Sequence, residues 1–249
     1  MNLVPSEVIG ANRARFVEPN GDRYWISPIM GERPGHSDVG PQAALLEPDD
    51  SVRIRPHFHV RTQIQLVVSG GAKFGRWHIQ APWAHYVDAY TTYGPIVPEG
   101  DSPLKFFTLR IDGPDFQHYM PESKHEKIKR SGRNLVALTG TEFAFAQNPA
   151  VGDAVVEPIL GPYPDGLATY LIKAGRDATL TIPPDPARGE FWVVLEGSIV
   201  VSGTEFFQHS CGCWNRGDNR VTVTSGGIGA TVFVARFPDC ASTDGTGHT

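Results

Sequence analysis

Two stretches of this chain repeat one pattern at a fixed interval, and few folds accommodate that. Gln63 is followed after six residues by Gly70, and Glu190 after six residues by Gly197, an offset of 127 for both positions. The residues between are apolar runs, Ile-Gln-Leu-Val-Val-Ser in one case and Phe-Trp-Val-Val-Leu-Glu in the other. Further on, Phe107-Thr-Leu-Arg110 matches Phe233-Val-Ala-Arg236 at an offset of 126. Matches kept in order point to an internal duplication. Around them, short runs of strand length are separated by turn residues, at 52–58, 61–68, 72–79, 84–90 and 104–111, and again at 166–173, 178–182, 190–201, 205–209, 219–224 and 229–236. The pattern predicts an all-β chain of two related barrel or sandwich units.

The expected organisation is an N-terminal arm over 1–44, broken by prolines and carrying a strand near Trp25, then a first barrel over 45–125. A connector and a second barrel fill 126–238, and the small, polar tail 239–249 is expected to be disordered. A net charge of -5 and the lack of a basic run exclude a nucleic-acid footprint. No apolar run approaches the roughly 18 residues of a membrane span, and the N-terminus has no signal-peptide pattern, so the expected location is cytoplasmic. Of the 3 cysteines only Cys211 and Cys213 are close, which reads as a reduced, structural pair and not as a disulfide framework.

The most informative single stretch is Arg55 to Gly71. If it is one strand, His57, His59, Arg61, Gln63 and Gln65 share one face, while Phe58, Val60, Ile64, Leu66 and Val68 share the other. The polar row faces either water or a lined cavity; alternation alone does not choose. Trp77, Trp83, Tyr86, Tyr90 and Tyr93 follow closely, as a lining for a planar ligand or as ordinary core. Arg110 and Arg236, matched in the repeat, either pair with structural carboxylates or, for Arg110, bind an anion.

His57-x-His59-x3-Gln63-x6-Gly70 resembles the first cupin motif, with Gln where that family has Glu. Tyr86 to Pro95 is similar to the second cupin motif, with Tyr93 where a histidine belongs, and Glu190-x6-Gly197 resembles the first motif again, with Pro184 and Pro186 at its histidine positions. The resemblance covers residues 45 to 238 and implies a bicupin, two tandem double-stranded β-helix barrels. It also implies a divalent metal, Fe(II) first and Mn, Ni or Zn otherwise, held by His57, His59 and Gln63. Tyr93 is then a ligand or proton donor, His85 a residue that could complete the set, and Gln65, Trp77 and Arg110 pocket residues.

An amide oxygen is a poorer metal donor than a carboxylate, and a phenol ligates only once its pKa of about 10 is lowered. A metal-free barrel is therefore the other outcome. With metal, the implied chemistry is oxygenation of an aromatic or enolic small molecule that chelates it. Without metal, the same histidines and Tyr93 support acid–base work in an isomerase or lyase, or the barrel only binds a ligand. The second barrel is expected to support the first and to help form a homodimer, with the Trp25 strand as the segment exchanged.

Overall fold

The computed structural model describes residues 1–18, 21–31, 40–113, 115–136, 149–182, 189–215 and 217–239. The first fifty residues form β1 (Asn2–Val4), α1 (Ser6–Ala11), β2 (Ala14–Val17), β3 (Arg23–Met30) and β4 (Gln42–Pro48). Next come β5 (His57–Phe58), β6 (Gln63–Ser69), β7 (Gly71–Phe74), β8 (Trp77–Gln80), β9 (Trp83–Val87), β10 (Ile96–Glu99) and β11 (Lys105–Arg110). After β12 (His118–Tyr119), a 3-10 turn over Glu122–Glu126 precedes β13 (Asn134–Val136). The remaining strands are β14 (Ala154–Leu160), β15 (Ala168–Ala174), β16 (Gly189–Val201), β17 (Thr204–Phe207), β18 (Cys211–Asn215) and β19 (Val223–Arg236).

The strands divide between two compact units, one of Glu7–Ala144 and one of Met1–Ser6 with Phe145–Thr249. The connector and the arm thus fall differently from the expected boundaries. β13 pairs with β9 and belongs to the first unit, whereas β1 pairs with β18 and belongs to the second. In the first unit a seven-stranded sheet runs β13-β9-β6-β11-β4-β3-β2, accompanied by the three-stranded sheet β10-β7-β8 and the β12-β5 pair. In the second, the order is β1-β18-β16-β19-β15-β14, with β17 on β16. The architecture is all-β, as the alternation predicts. Pro184, Pro186 and the tail from residue 240 lie outside the described residues.

The internal repeat is visible as structure. β6 pairs with β11 as β16 pairs with β19, each antiparallel, so the matched segments occupy equivalent central positions. Gly70 and Gly197 both sit at positive φ, +68° and +69°. A side chain at Gly70 would also press within 2.5 Å of the Ser102 carbonyl, so both conformation and space demand glycine there. The first core gathers Val52, Ile54, Val67, Phe74, Trp83, Ile96 and Phe106, and the second gathers Tyr170, Ile172, Trp192, Val194, Val232 and Val234.

Two expectations are corrected. Arg55 to Gly71 is not one strand: β5 ends at Phe58 and β6 begins at Gln63, because the backbone between turns toward Asp115 and accepts a bond from Tyr90 N at His59 O (2.6 Å). The run 72–79 is a hairpin, β7 and β8. The Trp25 strand, β3, pairs with β4 on one side and, over Arg23–Ile26, with β2 on the other, and Arg13 lies 4.1 Å over the Trp25 ring.

Candidate functional site

The site is built in the first unit where β5, the Tyr93 segment and β12 meet. His57 and Tyr93 exchange both backbone hydrogen bonds (3.1 and 3.0 Å), which brings their rings together at 4.4 Å between centroids. On its other side His57 pairs with Tyr119 of β12. The polar row faces inward: His57, His59, Gln63 and Gln65 are all 4% exposed or less. Arg61 alone is half-buried, since it lies in the break between β5 and β6.

The hydrogen-bond roles follow from which groups can only donate or only accept. His57 Nδ1 lies 2.8 Å from the Arg55 carbonyl, so it carries the proton, and Nε2 accepts from the Tyr93 hydroxyl at 2.8 Å. The Tyr93 oxygen in turn accepts from the Gln63 amide. The Gln63 carbonyl oxygen accepts from Arg110 at 2.7 Å, and because a guanidinium only donates, the amide orientation is determined. Arg110 also donates to Gln42 Oε1 at 2.8 Å and stands 3.4 Å from each ring nitrogen of His59.

Burial sets the protonation states. It holds the imidazole of His57 down to about 3, helped by the neighbouring His59 and Arg110, and that of His59 to about 4, helped by Arg110. Burial pushes the Tyr93 phenol well above its ordinary value, so at neutral pH it is protonated. The Asp115 carboxyl, which burial alone would raise, is held low by His59, by Arg110 and by the Arg61 N–H. Arg110 is lowered by burial, yet a guanidinium starts high enough to stay charged.

Beside these groups opens a cavity of about 490 Å³, walled by His57, His59, Tyr93, Arg110, Gln65 and Tyr119 among others. Tyr24, Ile26, Ile54, Ile96 and Phe106 make much of the remaining wall apolar. Gln65 is part of the wall, and it also meets His85 Nδ1 at 3.2 Å. His85 Nε2 meets Asn134 at 2.8 Å, and since burial keeps this imidazole neutral (about 4), one of the two amides presents its NH2. His85 is enclosed by Phe74 and Trp83 and does not reach the cavity wall.

Trp77, expected in the pocket, stands instead on β8 under Arg76, away from the cavity. Trp83 and Tyr86 are core residues, and Tyr90 stacks on Phe58. Residues that the sequence did not single out complete the site: Gln42, Asp115, Tyr24 and Tyr119. Asp115 Oδ2 binds the Val60 and Arg61 amides at 2.5 and 3.1 Å and lies 3.5 Å from His59.

The donor set does not fit a resident metal. The Nε2 lone pair of His57 is occupied by Tyr93, the Gln63 oxygen by Arg110, and a fixed guanidinium already lies among the atoms that would coordinate. No group of three or more His, Cys, Asp or Glu able to hold a metal occurs among the described residues.

In the second unit Glu190 receives Arg236 Nε at 2.8 Å, Trp192 Nε1 at 2.8 Å and Arg220. That carboxyl, which burial would raise, is held low by these donors. Cys211 and Cys213 are buried free thiols, as the reading of a reduced pair expects; burial pushes both pKa values up, that of Cys213 to about 12. No helix among the described residues is long and apolar enough to cross a membrane.

No protein-family profile and no curated sequence matches the chain. Solved structures do. A protein from Nostoc punctiforme provisionally named a dioxygenase superposes with a TM-score of 0.67 at 11% identity, over 98% of this chain and 84% of that one. The oxalate decarboxylase of Lactobacillus farciminis, in complex with formate, matches with a TM-score of 0.59 at 12% identity, over 96% and 86%. The pirin YhhW of Escherichia coli, in complex with nickel(II), matches with a TM-score of 0.56 at 11% identity, over 91% and 95%. At such identities the likeness is one of architecture, and the architecture is that of the cupins, two barrels of the double-stranded β-helix type on a single chain.

Proposed function

We propose that the first unit is a metal-independent acid–base enzyme of the isomerase or lyase kind, acting on a small molecule held in the cavity. The observation that carries the reading is the 2.8 Å contact between Tyr93 and His57 Nε2 on the wall of that cavity. At neutral pH the two groups hold complementary states, a protonated phenol and a neutral imidazole with its lone pair turned to the same side. A bound carbonyl compound that draws the Tyr93 hydroxyl from His57 onto its own oxygen frees the Nε2 lone pair. As Tyr93 gives its proton to that oxygen, His57 takes one from a neighbouring C–H, the substrate enolises, and the Tyr93–His57 contact returns the proton to the phenolate; isomerisation and elimination share that step. The oxygenase reading invited by the motif requires Gln63 and both histidines to be released from Arg110 and Tyr93, and the present bonding argues against it.

The test is solvent-deuterium exchange followed by proton NMR over a panel of enolisable carbonyl compounds, on protein stripped with a chelator. Exchange is expected to survive stripping and to fall by about 10²–10⁴-fold in His57→Gln and Tyr93→Phe. Exchange or turnover that appears only with added Fe, Mn, Ni or Zn overturns the reading in favour of a metal enzyme.

A further inference from the structure

We infer that Arg110 is the resident cation of the first barrel and that the cavity takes a small organic anion, a carboxylate on an apolar body, against it. Arg110 is 4% exposed and lines the cavity. Its hydrogen-bond partners are neutral: the amides of Gln42 and Gln63 and the ring of His59. Among the described residues no carboxylate stands within the 4.0 Å of an ion pair with it. The nearby carboxylate, Asp115, is committed to the N–H groups of Val60, Arg61 and Phe116 and to the rings of His59 and His118.

The second unit shows how the same position is completed. Arg236, equivalent to Arg110 in the repeat, ion-pairs with Glu190, and Glu190 is equivalent to Gln63. The duplicated arginine is ion-paired directly in one barrel; in the other, the exchange of a carboxylate for an amide leaves it no direct partner, and Asp115 offsets its charge only from beyond ion-pair distance. A buried charge without a counter-charge in direct contact is unfavourable, so it is stabilised where something else supplies the opposite sign against it. Room for that something exists in the first barrel, together with unspent donors. Arg110 Nε and the hydroxyls of Tyr24 and Tyr119, residues of the same wall, are buried with no hydrogen-bond partner. The rest of the lining, with Ile26, Ile54, Ile96 and Phe106, suits a hydrocarbon or aryl body and not a second charge. Of the other charged residues in the lining, Arg15 is already paired with Asp49, and Glu18 and Asp115 oppose an anion beside them, which leaves Arg110 as the cation to be met.

The inference rests on the acid–base reading only in naming that reaction's substrate class, and its test does not need turnover. Calorimetric binding and thermal shift are measured with matched carboxylates and amides at millimolar concentration, benzoate against benzamide and hexanoate against hexanamide. The proteins are the wild type, Arg110→Met and Gln63→Glu. In the wild type at least one carboxylate is expected to bind about tenfold or more tighter than its amide. Gln63→Glu installs the second barrel's own solution, so it is expected to lose that preference while melting at the wild-type temperature or above. Arg110→Met is expected to lose it as well, and if that variant fails to fold, Gln63→Glu still decides.

Equal affinity for acid and amide, no binding of any carboxylate, or an unchanged preference in folded Gln63→Glu overturns the inference. A carboxylate preference without deuterium exchange sinks the acid–base reading and leaves this one standing. Exchange confined to neutral compounds does the reverse.

Discussion

Gln63 and Glu190 differ by one polar group, and each determines how a buried arginine is balanced. Replacing Glu190 by Gln removes the carboxylate from Arg236, which is 1% exposed, and is expected to cost about 3–5 kcal/mol, read by urea denaturation. A loss below about 1 kcal/mol would show that the pair carries little of the second barrel's stability. The first barrel offers the complementary prediction. Bringing a carboxylate next to Arg110 places negative charge near His57, which favours the imidazolium, so its pKa should climb from about 3 toward the ordinary 6.5. A nitrogen-15 NMR titration with and without saturating benzoate checks this; an unmoved value counts against a ligand at that position. At this scale His57, His59, Gln63 and Tyr93 were legible because their spacing is local. Asp115, Gln42 and Tyr119 were not, since they reach the site from segments whose residues show no period and whose partners are chosen only by the fold.

Among elements, the alternation over 63–69 reads correctly as β6, yet it says nothing of the break after Phe58. That break comes from Asp115, a carboxylate from a distant loop that takes the place of a neighbouring strand for Val60 and Arg61. Trp77 was misplaced for a similar reason: 72–79 folds back on itself as β7 and β8, which packs the tryptophan against the core and not in the cavity wall. The glycines of the repeat were legible as spacing, and the structure supplies their physics. Gly70→Ala forces a side chain onto φ +68° and against the Ser102 and Pro103 carbonyls. The expected loss is about 1–3 kcal/mol from the backbone conformation alone, with more from the contact, measurable as a lower urea midpoint at unchanged m-value. A variant as stable as the wild type would mean that this turn relaxes freely.

For the whole chain, the duplication and the all-β architecture were legible because a repeated offset survives wherever strand pairing must be kept, whereas the boundaries were not, because β1 and β13 pair far from their sequence neighbours. Stability should also be acid-sensitive. Burial holds His57 near 3 and His59 and His85 near 4, while in the unfolded chain each titrates near 6.5. Between those values the unfolded chain binds more protons, so stability is fully present above about pH 6.5 and declines as pH falls toward 4. With all three contributing, the slope approaches about 4 kcal/mol per pH unit, and His85→Gln removes about one proton from it. Urea unfolding across that range measures the slope; a flat profile would contradict the neutral, buried state of these rings. β1, residues 2 to 4, leaves the ribosome long before its pairing partner β18, residues 211 to 215. At typical elongation rates it waits on the order of 10–40 s for that strand to be made. Until β1 settles beside it, newly made β18 has an open edge on which any other extended segment, from this chain or a neighbouring nascent one, competes to pair.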